Sequence, residues 1–249
     1  MSRHDSIFKG LDLKTSAFAE IGALANPIAP PGSVFIDAFT KYENIRLKGI
    51  TDINLINKMP EIGCIWDGSS RLEPIMPIKC NCIIASHVIE HIANPIRWLK
   101  HLSECLATGG WLSLVIPDKR YCFDHFRPLT SPGNLIDAFN NAYARPTLGQ
   151  VLDMRIYCHR FNGANSWSRH SQISSRDLAP VFEGEFKQEL LKDFKRRHDL
   201  GEYIDSHCWC FTAESFVFAL EQIKSIDLID FAKLEVDEFD NDFVVRVYW

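Results

Sequence analysis

The stretch from Cys82 to Thr130, CIIASHVIEHIANPIRWLKHLSECLATGGWLSLVIPDKRYCFDHFRPLT, restricts the possible fold more than any other part of the chain. Its first apolar run, Cys82 to Ala85, is the length of a buried strand, and so is its second, Trp111 to Ile116. Between them Asn94 and Pro95 are placed to cap and start a helix. Ile96, Leu99, Leu102 and Leu106 share one face of that predicted helix, and Gly109-Gly110 is expected to stop it. Strand, helix and strand at this spacing make a right-handed βαβ unit, the building block of a parallel sheet. Polar residues crowd just past both strands: Ser86, His87, Glu90 and His91 after the first, Asp118, Lys119, Arg120 and Tyr121 after the second. Ligands of open α/β sheets bind at the carboxyl ends of the strands, so this edge is the expected active site.

Composition narrows the class. With 249 residues, 46% apolar and 24% charged, the chain can bury a full core as one α/β domain with an inserted cap. A formal net charge of −5 and the lack of a long basic run argue against nucleic acid as a partner. Lys192 to His198 is basic, but reads as the solvated end of a helix. No run approaches the roughly 18 apolar residues of a membrane span, and MSRHDSIFKG has no signal-peptide core; the expected location is cytoplasmic. Eight scattered cysteines read as buried free thiols. Cys80, Cys82, Cys208 and Cys210 make a zinc quartet only on paper, because a strand period of two points both members of a pair to one face without a knuckle turn.

Residues 1 to 14 read as a short helix or arm. Ser16 to Ile21 and Ser33 to Ile36 are expected strands, the second ending at Asp37. Only about eleven residues, three of them proline, separate them, so this crossover is expected to lack a helix, although parallel neighbours normally use one. Cys64 to Trp66 is a third short strand ending at Asp67-Gly68. An acid at the end of the second strand is placed to accept from vicinal ribose hydroxyls, and one after the third to reach an adenine amine; either can also serve as an ordinary turn cap. Residues 118 to 206 break the alternation and are too long for a simple loop. They are read as a cap, with helices over Pro132 to Ala144 and over Leu178 to His198, where Val181, Phe182, Phe186, Leu190, Leu191 and Phe194 recur at helical spacing. Thr212 to Ile223 is a predicted helix with a T-x-E-S start, followed by strands near Ile226 to Phe231 and Phe243 to Tyr248, one of them antiparallel.

The series Glu20-Ile21-Gly22, Asp37, Asp67-Gly68 and IIASHVIEHIANPIRWLKHLSECLATGGWLSLVIPD resembles the motifs of class I S-adenosylmethionine-dependent methyltransferases. More narrowly, EIGALANP, PDKRYCFDHFRPLT and HCWCFTAESF resemble a bacterial subgroup associated with surface-polysaccharide biosynthesis. The resemblance implies a Rossmann-like, mostly parallel sheet with one antiparallel strand, formed by 1–117 and 207–249, with an inserted α-rich cap at 118–206. It implies that Glu20, Gly22 and Ala23 lie beside the methionine part of S-adenosylmethionine, that Asp37 holds the ribose, that Asp67 and Gly68 meet the adenine, and that Ser86 and His87 line the pocket near the sulfonium. Leu24 and Asn26 stand where the family has further glycines, which motivates the rival reading of a catalytically inactive methyltransferase-like binding protein. No G-x-G-x-x-G follows the first strand, so a dinucleotide-dependent dehydrogenase is disfavoured.

Methyl transfer to a hydroxyl requires alignment and a base. His87 and His91, then Asp124 and His125, are the candidate catalytic residues. His87, Glu90 and His91 stand at i, i+3 and i+4, so a helical turn would put all three on one face, spaced for a divalent metal. This set is similar to the S-E-x-x-E-H series of metal-dependent O-methyltransferases, with a further ligand from His159, His170 or His207. The letters H-V-I-E-H also match the H-x-x-E-H signature of zinc peptidases, but that motif needs a continuous helix, which Asn94-Pro95 cuts short. Lys119, Arg120, Tyr121, Arg127 and His207, with Arg145, Arg155 and Arg160 in the cap, point to an anionic small-molecule acceptor such as a nucleotide sugar or sugar phosphate. The expected activity is therefore O-methylation of a small, anionic, sugar-containing molecule.

Overall fold

A computed structural model describes residues 1–249, the side chain of Phe186 excepted. Ser2 caps α1 (Arg3–Phe8) in a reciprocal box with Asp5. Strands β1 (Phe18–Ile21) and β2 (Val34–Asp37) follow with no helix between them, as the prolines at 27, 30 and 31 require. Thr40 and Glu43 form the capping box of α2 (Lys41–Lys48), and α3 (Ile53–Lys58) leads to the two-residue β3 (Cys64–Ile65). Next come β4 (Cys80–Ser86), α4 (Pro95–Ser103) and β5 (Leu106–Pro117). The cap region holds α5 (Pro132–Asn140), α6 (Leu148–Ile156), a ribbon of β6 (His159–Arg160) with β7 (Ala179–Pro180), and α7 (Gly184–Asp199). Finally α8 (Ala213–Ser225), capped by Thr212, precedes the hairpin of β8 (Lys233–Glu238) and β9 (Asp242–Tyr248).

The seven-stranded sheet runs β3-β2-β1-β4-β5-β9-β8, all parallel except that β9 is antiparallel to both its neighbours. This is the Rossmann-like class I methyltransferase arrangement. The strand order reverses between β1 and β4, and that switch point opens a crevice at the carboxyl edge. One face buries Ile83, Ala85, Leu112 and Leu114 under Trp98, Leu99 and Leu102 of α4, Leu135 and Ala138 of α5, and Phe216, Leu220 and Ile223 of α8. Each fully buried side chain of this size contributes about 1.5–3 kcal/mol of transfer free energy, so this layer fixes the sheet in place. The other face is covered more thinly, by Ile7 and Phe8 of α1 against Phe18, Ile84, Trp111 and Val115.

Several expectations are corrected. The crossover helix ends at Ser103, and Leu106 already belongs to β5. A side chain at Gly110 would put a Cβ 2.9 Å from the Ala107 and Cys80 carbonyl oxygens, so this glycine lets β5 pass close to β4 rather than stopping a helix. Asn81 and Cys82 both point their N–H at the Ala17 carbonyl, at 2.8 and 3.4 Å, and the register slips there. Consequently Cys80 faces the larger core and Cys82 the smaller one, contrary to a plain period of two. All eight cysteines are free and buried. Ile226 to Phe231 is not a strand; Ile229 and Phe231 plug the core, and the strand starts at Lys233. The helix expected from Leu178 begins only at Gly184, and Phe186, one of its expected apolar positions, lies outside the described side chains. In its last turns Lys195, Arg196 and Arg197 pair with Asp199, Asp193 and Glu202, as a solvated helix end does.

The segment after β5 is not uniformly separate from the sheet. Helix α5 packs in the main core and is tied to the start of α4 by the Asn94 amide, which donates to the Ala138 carbonyl at 3.0 Å. Farther on, Val151 of α6, Phe194 of α7 and Ile204 make a small cluster of their own.

Candidate functional site

The turn after β4 and a strap before α8 build the centre of the site. His87 leaves β4 with φ +55°, a left-handed conformation that ends the strand abruptly. Residues Ile89–His91 then form a single 3-10 turn. The strap is held over this turn because the Cys208 and Trp209 N–H groups donate to the Glu90 carbonyl, at 2.6 and 3.3 Å, and the Trp209 indole donates to the Ile92 carbonyl at 2.6 Å. Downstream, Cys210 and Thr130 exchange two hydrogen bonds, at 2.9 and 3.0 Å, which fastens the strap to the segment after β5.

His207 is thereby brought against His91, ring edge to ring face with centroids 4.6 Å apart. Each ring is held by an acid. His207 Nδ1 lies 2.5 Å from Asp124 Oδ2, and His91 Nδ1 lies 2.9 Å from Asp205 Oδ1. Arg127 Nη1 donates to the other Asp124 oxygen at 2.9 Å. Burial acts to raise the Asp124 pKa, yet His207 and Arg127 hold it below the usual carboxylate range. The hydrogen bond to His91 takes Asp205 down to about 2, and although burial works against the charged imidazole, Asp205 and Glu90 push His91 up. Beside the two rings lies the carboxylate of Glu90, 1% exposed and with no hydrogen-bond partner on either oxygen.

Other candidates sit differently. His87 is half-exposed and flanked by Glu90 Oε1 at 3.7 Å and Asp242 Oδ2 at 3.6 Å, on a turn that does not give the helical i, i+3, i+4 face expected for it with Glu90 and His91. His125 Nδ1 donates to the Arg120 carbonyl, 2.8 Å away, and the ring packs on Phe126 and Trp167 rather than on His207. Most of the predicted anion-binding cations are already engaged. Lys119 donates to the His125 carbonyl at 2.6 Å, Arg120 is paired with Asp118 at 2.5 Å, and Tyr121 lies beneath Arg120 and Arg169. Arg127 is buried against Asp124, and Arg145 donates to the His198 carbonyl. Arg155 donates through Nη2 to the Asp205 carbonyl at 3.4 Å and lies over the Phe194 ring, but its Nε is buried and without a partner. So is that of Arg160, which has no carboxylate partner among the described residues.

On the other side of the switch point, sheet register places Gly22, Asp37 and Ser86 in one row at the tips of β1, β2 and β4. Gly22 has φ +70°, and a Cβ there would approach Val88 Cγ2 to 3.1 Å, so the loop lies against the β4 turn. Leu24 adopts φ +43°, the backbone that glycine favours, at an energetic penalty of about 1 kcal/mol. Ala23 is buried beside it. Glu20 does not open onto the crevice: it is 1% exposed and its Oε2 accepts from the Ile28 and Ala29 N–H groups at 2.8 and 2.7 Å. Asp37 is half-buried, with Oδ1 accepting from the Phe39 N–H at 3.1 Å and Oδ2 uncommitted. Asp67 is folded onto Ser69, as a turn cap would be, and Gly68 abuts Trp98 of α4. A surface hollow between α8 and β8, lined by apolar Val217 and Phe218 and by the acids Glu214 and Glu221, includes none of these residues.

A profile of the methyltransferase domain family matches residues 18–184, about two thirds of the chain, from β1 to the start of α7. The chain belongs to that family. It is an S-adenosylmethionine-dependent methyltransferase. Similar solved structures include an S-adenosylmethionine-dependent methyltransferase, possibly a histamine N-methyltransferase, from Thermotoga maritima (11% identity, 98% of this chain and 86% of that one, TM-score 0.44). Another is a methyltransferase from Mesorhizobium loti (12%, 99% and 98%, TM-score 0.44). Human N-acetylserotonin methyltransferase bound to its methyl donor also aligns (10%, 98% and 51%, TM-score 0.43), and the chain spans about half the length of that protein. No curated protein sequence matches the chain.

The crevice can take the donor of this methyltransferase: the left-handed residues Gly22 and Leu24, on either side of Ala23, turn the loop at the tip of β1, and Asp37 keeps a free carboxylate oxygen at the tip of β2. The zinc-peptidase reading of H-V-I-E-H falls with the family and with the three-residue turn that replaces the helix it needs. Asp205 is the functional residue that the sequence does not reveal, since nothing in its neighbourhood marks it beyond the alternation D-S-H; His207 is offered by the sequence both as a substrate contact and, with His159 and His170, as a candidate further ligand, and the strap held to the Glu90 carbonyl is what singles it out. Among the described residues, no helix is long and apolar enough to cross a membrane.

Proposed function

We propose that the enzyme methylates a hydroxyl oxygen of a small, anionic, sugar-containing acceptor. The observation that carries this reading is the trio Glu90, His91 and His207, with both imidazoles oriented by carboxylates, beside the switch-point crevice. S-adenosylmethionine supplies an electrophilic methyl group; as the new C–O bond forms and the C–S bond breaks toward sulfur, the hydroxyl proton must leave. Asp124 and Asp205 fix the rings so that the second nitrogen of each is available to take that proton. A nitrogen nucleophile with a free lone pair would not need such a group.

Residues around the trio support the acceptor class. Phe123 lies against His207 with centroids 4.7 Å apart, and the exposed Phe126 and Tyr203 offer faces for the apolar side of a sugar ring. Arg155 and Arg160 bring unsatisfied donors, which suit a phosphate or carboxylate. In this reading Gly22, Ala23, Asp37, Asp67, Gly68 and Ser86 line the donor side, while residues 118–206 form the acceptor side. Methyl-labelled donor incubated with a panel of nucleotide sugars and sugar phosphates, followed by product NMR, tests the proposal. An O-methyl product is expected; an N- or C-methyl product, or transfer only to uncharged acceptors, overturns it.

A further inference from the structure

We propose that Glu90, His91 and His207 bind a divalent transition-metal ion. The three residues each bring one ligand atom to within 4.8 Å of the others. Two histidines and one carboxylate make a mixed nitrogen and oxygen set, which suits manganese, iron, cobalt or zinc better than magnesium, whose preference is for oxygen alone.

Three observations point to a cation rather than to a fortuitous cluster. First, Glu90 is 1% exposed and neither oxygen has a hydrogen-bond partner. A buried carboxylate left in that condition is penalised by the loss of its hydration, and an adjacent cation removes the penalty. Second, the Nδ1 of both histidines is taken by an acid, Asp205 for His91 and Asp124 for His207. Metal-bound histidines are held this way, the outer carboxylate fixing the ring and leaving Nε2 as the ligand atom. Third, the trio comes from two distant segments clamped together by main-chain bonds from Cys208 and Trp209 to the Glu90 carbonyl, so the ligand atoms are positioned before any ion arrives. His87, which the sequence offered as a ligand, lies on the Asp242 side of Glu90 and is not in the trio. With the ion bound, the Nε2 atoms are ligands and no longer take the proton; the cation would instead act as a Lewis acid on the acceptor hydroxyl, lowering its pKa so that the proton is lost to water. That role rests on the proposed O-methylation; binding of the ion does not.

The test uses the full chain freed of metal by chelation and dialysis, titrated with Co²⁺ alone, without donor or acceptor. One equivalent is expected to bind, with visible absorption bands characteristic of imidazole ligation. The variants E90Q and H207Q are expected to weaken binding by tenfold or more, and H87Q to leave it within threefold, with circular dichroism confirming that each is folded. E90Q is nearly isosteric and removes only the charge, so it reports on the site even if H207Q loosens the strap. The absence of stoichiometric binding, or binding that E90Q and H207Q leave unchanged, overturns the proposal. Methyl transfer is then assayed on the same samples: O-methylation undiminished in metal-free enzyme removes the ion's role while sparing the proposed reaction. Tight Co²⁺ binding with an N-methyl product keeps the site and removes the reaction.

Discussion

Asp124 and His207, 83 positions apart in sequence, meet through a 2.5 Å contact between carboxylate and ring nitrogen, and both are buried. Arg127 takes the second carboxylate oxygen, so the acid is fixed from both sides and the ring from one. Replacing Asp124 with Asn keeps the shape but removes the charge that sets the ring's orientation. The expected result is a loss of methyl transfer of about 10²-fold or more, with donor affinity changed little, because the donor crevice lies across the switch point. The substitution also leaves Arg127 buried without its counter-charge, a destabilisation of about 3 kcal/mol. Steady-state kinetics and donor titration on the folded variant decide it; a rate within threefold of the parent places the pair outside the reaction.

Across the switch point, Asp37 has a carboxylate oxygen free at the tip of β2, whereas Asp67 is folded onto Ser69. Asp37→Ala should therefore weaken the donor and its demethylated product by about 10- to 150-fold, the value of a charge-assisted hydrogen bond of 1.5–3 kcal/mol. Asp67→Ala should weaken them by about tenfold or less, since part of what that side chain does is hold its own turn. Calorimetric titration with both ligands separates the two. Equal losses would mean that Asp67 abandons Ser69 on binding.

What was legible in the sequence follows from the range of the forces involved. The strands, the helix-free first crossover and the capped helices depend on residues a few positions apart, and Pro27, Pro30, Pro31, Asn94 and Thr212 announce them directly. The slip at Asn81 was hidden, because it depends on the carbonyl of Ala17, 64 positions earlier and just before β1. Left open as well was which histidine gathers with His91 beside Glu90. His87 is its neighbour in sequence, but the left-handed turn at that residue sends the chain away from a helix, and the strap delivers His207 in its place. The sequence shows many arginines between 118 and 206, yet only burial and pairing distinguish Arg155 and Arg160, with unsatisfied Nε atoms, from Arg120 and Arg127, paired with Asp118 and Asp124.

Glu20 offers a separate check on the loop that follows β1. Its carboxylate receives two main-chain N–H bonds, yet burial outweighs them and raises its pKa. A raised value in the folded state means that ionisation opposes folding at neutral pH. Glu20→Gln, which keeps an acceptor and cannot ionise, should thus stay within about 1 kcal/mol of the parent in denaturant unfolding. Glu20→Ala removes the acceptor and strands both N–H groups, for a loss of about 2–4 kcal/mol. Similar losses for the two variants would show that the charge itself, rather than the acceptor, holds the loop.

At the far edge of the sheet, Arg246 of β9 is 2% exposed and pinned between Glu235 and Asp237 of β8, at 3.1 and 2.8 Å, while donating to Ser6 of α1. Hydrogen bonds from Lys9 and Lys233, with help from Tyr248 and Arg246, hold Glu235 far below its ordinary range. Burial acts to raise Asp237, but Ser6 and Arg246 keep it low. Carboxylates depressed in the folded state stabilise it above their unfolded values, near pH 4, and the contribution disappears as pH falls through the folded ones. Arg246→Met should therefore destabilise the protein by about 3 kcal/mol at pH 7, the lower end for breaking a buried pair, since both acids are about a quarter exposed. The gap between parent and variant should narrow progressively below pH 4 as the acids protonate in both. Because Ile7 and Phe8 of α1 help to cover Ile84 and Val115 on this face, the variant should also show faster amide exchange there at neutral pH. A stability gap independent of pH would mean that Arg246 acts through packing rather than through its charge.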